Sequence, residues 1–283
     1  MASLAHAALD EGVAAARIKV RRHKQLVMVL RIAFAVVMLG SWEILSRTKT
    51  IDPFFFGRPS EIGHKIWVWA TVGTPDGPLW EQVRITMEEA LLGFGIGVGA
   101  GIVFGLALGR IRLLAEVLGP YIKAANSIPR VVLGSIFIIW LGLGLPSKVA
   151  LAFVLVFFVV FFNAFQGVRE VNEDVIANAR ILGANRRQVT TQVVLPSALT
   201  WIIASLHTSF GFALVGAVVG EFIGSIHGLG HLIAFAQGTF DTNGVFAAMF
   251  ILAVIALGAE FLITALENRL ITWRPSRRDE VAL

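Results

Sequence analysis

The chain has 283 residues, 56% of them hydrophobic and 15% charged, with a net charge of +5 and a mean hydropathy of +0.76. Soluble domains carry about 25% charged residues, so this balance excludes an ordinary soluble domain and places the chain in a bilayer. The absence of cysteine excludes disulfides, thiolate metal sites and a thiol nucleophile, and the basic residues sit beside apolar runs, which reads as membrane flanks rather than as a nucleic-acid surface.

A spanning helix needs about 20 apolar residues. Six such runs occur, at 25–45, 89–109, 114–141, 148–168, 199–222 and 245–266. They are continuous and long, unlike the short alternating segments of a membrane barrel. The expected fold class is therefore all-α, a polytopic membrane protein with about six transmembrane helices.

Residues 1–24 end in Arg17, Lys19, Arg21, Arg22 and Lys24, just before the first run. That run is longer than a signal peptide core, and Trp42-Glu43-Ile44-Leu45 stands where a small-residue cleavage site would be, so it reads as an uncleaved anchor. Residues 51–88 follow outside, with Pro53, Pro59 and the breaker cluster from Gly73 to Pro78. Ser60 is placed to cap a short helix carrying Ile62, Ile66, Trp67 and Trp69. This helix either lies at the membrane interface, which suits tryptophan, or forms a docking surface for an external partner.

In the second run Gly93, Gly97, Gly101, Gly105 and Gly109 recur every fourth residue and form one stripe on a helix. Gly95 and Gly99 are expected to widen it. Such a stripe lets a neighbouring membrane helix approach backbone to backbone. No phosphate-cradling glycine motif fits it, and no Gly-Lys pair exists for a nucleotide loop. The third run is broken at Asn126-Ser127-Ile128-Pro129-Arg130, where proline removes a helix hydrogen bond. Lys123 and Arg130 flank the break.

Between the fourth and fifth runs lies a polar island. Val175, Ile176, Ala179 and Leu182 share one face at helical spacing, and Gly183 is suited to stop that helix in a left-handed conformation. A second short helix is expected from Arg186 to Val194, ended by Leu195-Pro196. Small residues at Ala177, Ala179 and Ala184 suit entry of this corner into a groove; the alternative is an amphipathic hairpin on lipid headgroups. Asn163 on the fourth run and Ser205, Thr208, Ser209 and Phe212 on the fifth are candidates for lining a pathway, or else bond within the bundle. Glu221 lies about 37 Å along a helix from Pro196 and is read as an interfacial acid or a gate residue. Glu260 should pair with a basic group on another helix.

The Lys and Arg residues place the N-terminal cluster, Arg110, Arg112, Arg169, Arg180, Arg186, Arg187, Arg269, Arg274, Arg277 and Arg278 on one side, with six basic residues on the other. By the positive-inside rule both termini and the island are cytoplasmic. His227 and His231 are the only pair near metal-ligand spacing, and Gly228 and Gly230 discourage a helix there, so no metal site is expected. No catalytic constellation is present. A secondary carrier or channel, or a scaffold for soluble partners, remains the rival to a driven transporter.

The island resembles the cytoplasmic signature of binding-protein-dependent ABC importer permeases: Glu-Ala-Ala, three residues, Gly, nine residues, then Ile-x-Leu-Pro. Gly183 and Val193-Val194-Leu195-Pro196 keep that spacing and Ala179 matches; Ala177 stands in place of Glu and Asn178 in place of the first Ala. Ser127-Ile128-Pro129, Trp140-Leu141-Gly142-Leu143-Gly144 with Ser147-Lys148, and Val219-Gly220-Glu221-Phe222-Ile223-Gly224 followed by Gly228-Leu229-Gly230 are similar to the nitrate, sulfonate and taurine branch. The resemblance covers roughly 44–272.

It implies a type I importer transmembrane domain over 25–270 with a coupling loop at 169–197, flanked by cytoplasmic segments 1–24 and 271–283. It implies a multi-pass protein of the bacterial inner membrane. The implied partners are a second copy of the chain, two cytoplasmic ATPases and a periplasmic binding protein that delivers a small anion such as a sulfonate, taurine or nitrate. ATP and magnesium would sit on the ATPase, with no cofactor on this chain. Ala177, Ala179, Leu182, Gly183, Ala184, Leu195 and Pro196 would form the contact with that ATPase.

Overall fold

The computed structural model of the protein describes residues 2–171 and 173–270, and the expected tail at 271–283 lies outside the described residues. The described residues are helical, with no strand beyond an isolated bridge between Thr74 and Gly77. The chain divides after His64 into two compact units.

The first unit holds α1 (Ala2–Arg47), the short α2 (Pro53–Phe56) and the start of α3 (Pro59–Thr71). Asp52 caps α2 by accepting the Phe54 N–H at 2.9 Å, with Pro53 at the start of the helix, where its missing N–H costs nothing. Ser60 does not cap α3 as expected. The helix begins at Pro59, so Ser60 lies in its first turn and gives both its N–H (3.0 Å) and its hydroxyl (2.8 Å) to Glu43. A carboxylate from α1 thus takes the capping role at a helix end that favours negative charge.

The second unit is built on α4 (Leu79–Arg110), α7 (Leu145–Arg169) and α10 (Leu195–Gly224), which pack mainly on one another. The glycine stripe explains the closeness of α4 and α7. A Cβ added at Gly93, Gly97, Gly101, Gly105 or Gly109 would come within 2.4–2.8 Å of the Cβ of Ala152, Val156, Val160, Ala164 or Val168 in turn. Two rows with a four-residue period therefore mesh along the whole contact. Gly95 and Gly99 have nothing within 4 Å and lie off the contact, so they do not widen it. On α10, Gly216 seats against the backbone of Ala152 in the same way. Ala90, Val156, Val160, Phe210, Ala213, Leu214 and Ala217 form the core that results.

α5 (Arg112–Ser127) and α6 (Leu133–Leu141) are joined by a 3-10 turn (Arg130–Val132) and bend by 74° at the expected break. Among the described residues, five helices are long and apolar enough to cross a membrane, and six spans result if this bent pair counts as one. Two expectations fail at the edges. α4 starts at Leu79, so the end of the expected outer segment 51–88 is helix; its polar side chains Gln82 and Thr86 are buried, which a count of apolar residues cannot register. A helix also forms where the glycines discourage one: α11 (Leu229–Gly238) begins directly after Gly228, whose φ of +101° provides the turn into it. α12 (Thr242–Leu270) completes the described chain.

Candidate functional site

Two sites stand out at opposite ends of the second unit. The first is the corner at Gly183. The backbone after α8 (Glu173–Ile181) closes by bonds from Gly183 N–H to Arg180 O at 3.0 Å and from Ala184 N–H to Ala179 O at 2.9 Å, with Gly183 at φ +87°. A Cβ at Gly183 would meet nothing within 4 Å, so glycine is needed here for its backbone conformation and not for space. Asn185 then starts α9 (Arg186–Val189) with a capping box: its side chain accepts the Gln188 N–H at 2.9 Å, and Gln188 accepts the Asn185 N–H at 2.8 Å.

The second helix does not end at Leu195-Pro196 as expected. α9 continues through a π turn (Thr190–Val194) into α10 without a break. Pro196 has no N–H and its ring crowds the carbonyl four residues back, and the helix accommodates both by widening the turn before it. One rod of 39 residues, Arg186–Gly224, about 58 Å long, therefore runs from the corner to the far end of the bundle. Arg110, the last residue of α4, donates to the Thr190 hydroxyl at 2.8 Å and ties the rod to α4.

The tip of the corner is apolar and open. Ile181 is 82% exposed and Leu182 87%. Ala177 is exposed, Ala179 and Ala184 are half-buried, and Leu195 and Pro196 lie half-buried at the root of α10. Ile181 has no place in the sequence reading because it falls off the Val175–Leu182 face; its signal is its position two residues before the glycine stop.

The pathway candidates separate. Ser205 and Ser209 are buried and bond to the carbonyls of Ile202 and Ser205 on their own helix, at 2.6 and 2.7 Å. Asn163 bonds to Val159 O at 2.8 Å and is half-buried. Thr208 and Phe212 are exposed on one side of α10, together with Trp201, Ala204, Gly211 and Val215.

The second site is polar and buried. Glu221 near the end of α10 accepts the Thr86 hydroxyl and the Gly230 N–H, both at 2.7 Å. Thr86 also receives the Leu229 N–H at 2.9 Å, and Gln82 receives the Gly228 N–H at 2.7 Å. Three successive N–H groups at the start of α11 are thus held by side chains from α4 and α10. Gly228 and Gly230 are required for close approach, since a Cβ there would fall 2.1 Å from the Glu221 carboxyl and 2.2 Å from Val218 O. His231 in α11 contacts Asp76 at 3.3 Å. Thr86→Val keeps the shape but removes the acceptor for the Leu229 N–H and the donor to Glu221. It should lower stability by about 1–3 kcal/mol and speed amide exchange at residues 228–230, measured by thermal melting and hydrogen exchange.

Glu260 does have a basic partner. His207 on α10 contacts Glu260 at 2.8 Å through Nδ1 and Glu267 at 3.0 Å through Nε2, linking α10 to α12. Residues 53 and 60 positions apart carry no local signal of such a pairing.

The binding-protein-dependent transport system inner membrane component family matches residues 97–272, a stretch that contains the Gly183 corner, all of α10 and the α11 turn. The chain belongs to this family. It is therefore a multi-pass ABC importer permease, a transport subunit. The permease is 33% identical to the riboflavin transport system permease RibX of Chloroflexus aurantiacus, over 85% of this chain and 88% of that one. It is 34% identical to the putative aliphatic sulfonates transport permease SsuC of Bacillus subtilis, over 71% and 72%, which puts a member of the expected sulfonate branch among its relatives. Its fold is that of the inward-facing methionine ABC transporter MetNI, with a TM-score of 0.52 at 19% identity, over 72% of this permease and 95% of that chain.

Proposed function

We propose that two copies of this permease form the membrane path of an ATP-driven importer, with a cytoplasmic ATPase gripping each Gly183 corner and a periplasmic binding protein delivering a small solute to the opposite face. The observation that carries this reading is the corner itself: two large apolar side chains presented to solvent on a backbone fixed by a glycine stop and a capping box. Apolar groups so displayed suit a cleft in a partner. The rod Arg186–Gly224 supports a mechanical role. Movement of the corner by closing ATPases would rock α10 as a whole, and the Arg110–Thr190 bond would carry α4 with it. Ala177, Ala179, Leu182, Gly183, Ala184, Leu195 and Pro196 are the proposed contact or root residues, with Ile181 added; ATP and magnesium act on the ATPase.

The proposed cargo is a small anion such as a sulfonate, taurine or nitrate. The sulfonate name of one relative and the motifs shared with that branch support it, while the riboflavin name of another marks the main competitor. The test is reconstitution in vesicles with a candidate ATPase and a candidate periplasmic binding protein. ATP-dependent uptake of labelled alkanesulfonate, abolished by vanadate, is the expected result. Uptake without an ATPase would instead favour a secondary carrier.

A further inference from the structure

Three charged side chains are buried together at the end of the bundle opposite the corner: Glu89 on α4, Lys148 on α7 and Glu221 on α10, at 3%, 0% and 0% exposure. Glu89 lies one turn along α4 from Thr86, which bonds Glu221, and Lys148 packs against Gly220, the residue before Glu221. Lys148 itself donates to the Leu143 carbonyl.

Two ionised carboxylates and one ammonium would leave a net negative charge in the interior, where an unpaired charge is strongly unfavourable. The donors distinguish the two acids. Glu221 receives the Gly230 N–H on Oε2 and the Thr86 hydroxyl on Oε1, both at 2.7 Å. Glu89 Oε2 is buried with no hydrogen-bond partner. Negative charge settles where donors converge, and the proton settles on the acid that lacks them. We infer that Glu89 is a proton-binding site: one proton resides on its carboxyl and is donated to ionised Glu221, so that Glu89, Lys148 and Glu221 form a neutral triad beneath the Gly228–Gly230 turn.

The triad pins three helices at one point. Glu221 holds the start of α11 only as an acceptor at both oxygens, and the proton on Glu89 keeps it in that form beside a second acid. Glu89 is a positioning residue in this arrangement, and its role does not depend on the partners proposed above.

Infrared spectroscopy of the purified permease in nanodiscs at neutral pH tests this directly. The expected spectrum contains the carbonyl band of one protonated carboxylic acid per chain, absent in Glu89→Gln. Melting separates the two possible proton positions, since each glutamine variant imitates one of them. Glu89→Gln should melt within about 2 °C of the natural chain, and Glu221→Gln should fall by ~5 °C or more, because an amide opposes the Gly230 N–H or the Thr86 hydroxyl. Absence of the band in the natural chain, its persistence in Glu89→Gln, failure of Glu89→Gln to fold, or the reverse order of stabilities would each overturn the assignment.

Discussion

Ile181→Asp combined with Leu182→Asp should abolish ATP-driven uptake and copurification of the ATPase while the permease remains in the membrane with an unchanged melting temperature. The two side chains are 82% and 87% exposed, so neither supports the fold of the chain itself. Buried in a partner's cleft, each contributes about 1.5–3 kcal/mol, and an aspartate placed there adds a desolvation cost. The combined loss of about 3–6 kcal/mol weakens association by roughly two to four powers of ten. Gly183→Pro should have the same outcome by another route. Proline holds φ near −65°, whereas the corner requires +87°, so the tip would point elsewhere while the span continued to insert. Pull-down from detergent extracts and vanadate-sensitive transport measure both variants. Normal ATPase recovery with the double aspartate variant would remove the corner from consideration as the grip.

The second large effect concerns the α4–α7 seam. Gly105→Ala and Gly101→Ala should each destabilise the permease by about 1–3 kcal/mol, and leucine at either position should prevent folding. At Gly105 a new Cβ would stand 2.6 Å from the Ala164 Cβ and 2.7 Å from the Phe161 carbonyl; at Gly101 it would stand 2.8 Å from the Val160 Cβ. Neither contact involves the end of a flexible side chain, so the helices must separate along their length. Gly95→Ala and Gly99→Ala are the controls. Nothing lies within 4 Å of either site, and an alanine in a helix interior should stabilise by about 0.5–1 kcal/mol. Thermal melting of the four alanine variants in one detergent gives opposite signs for the two pairs. Equal behaviour across all four would mean that the stripe does not set the approach of α4 to α7.

Much of this was legible in the chain. The apolar runs predict the spans because a bilayer demands length and hydrophobicity from the residues themselves, and five of the six runs each lie inside a single helix of the structure. Gly183 predicted its own left-handed turn, since only local backbone sterics decide that conformation. The break before Pro129 was equally local. Errors arose where a residue's role depends on something distant. α4 starts ten residues before the apolar run at 89–109, because Gln82 and Thr86 look like loop residues until the α11 turn is set beside them. Gly228 and Gly230 discourage a helix at Leu229 when read in isolation, yet both are needed for approach to Glu221 and Val218.

The Gly183 corner shows the same division. Composition and charge placed it at a membrane flank, and its spacing pointed to the family that residues 97–272 match. Membrane class, span number and the position of the corner follow from the sequence by itself, because they rest on hydropathy, backbone sterics and short-range spacing. The meshing of the glycine row with Ala152–Val168, the pairing of His207 with Glu260 and Glu267, and the burial of Glu89, Lys148 and Glu221 around one point were decided only by the tertiary structure. The reason is physical: a buried polar group is stable only against its partners, and those partners lie on other helices far away in the chain.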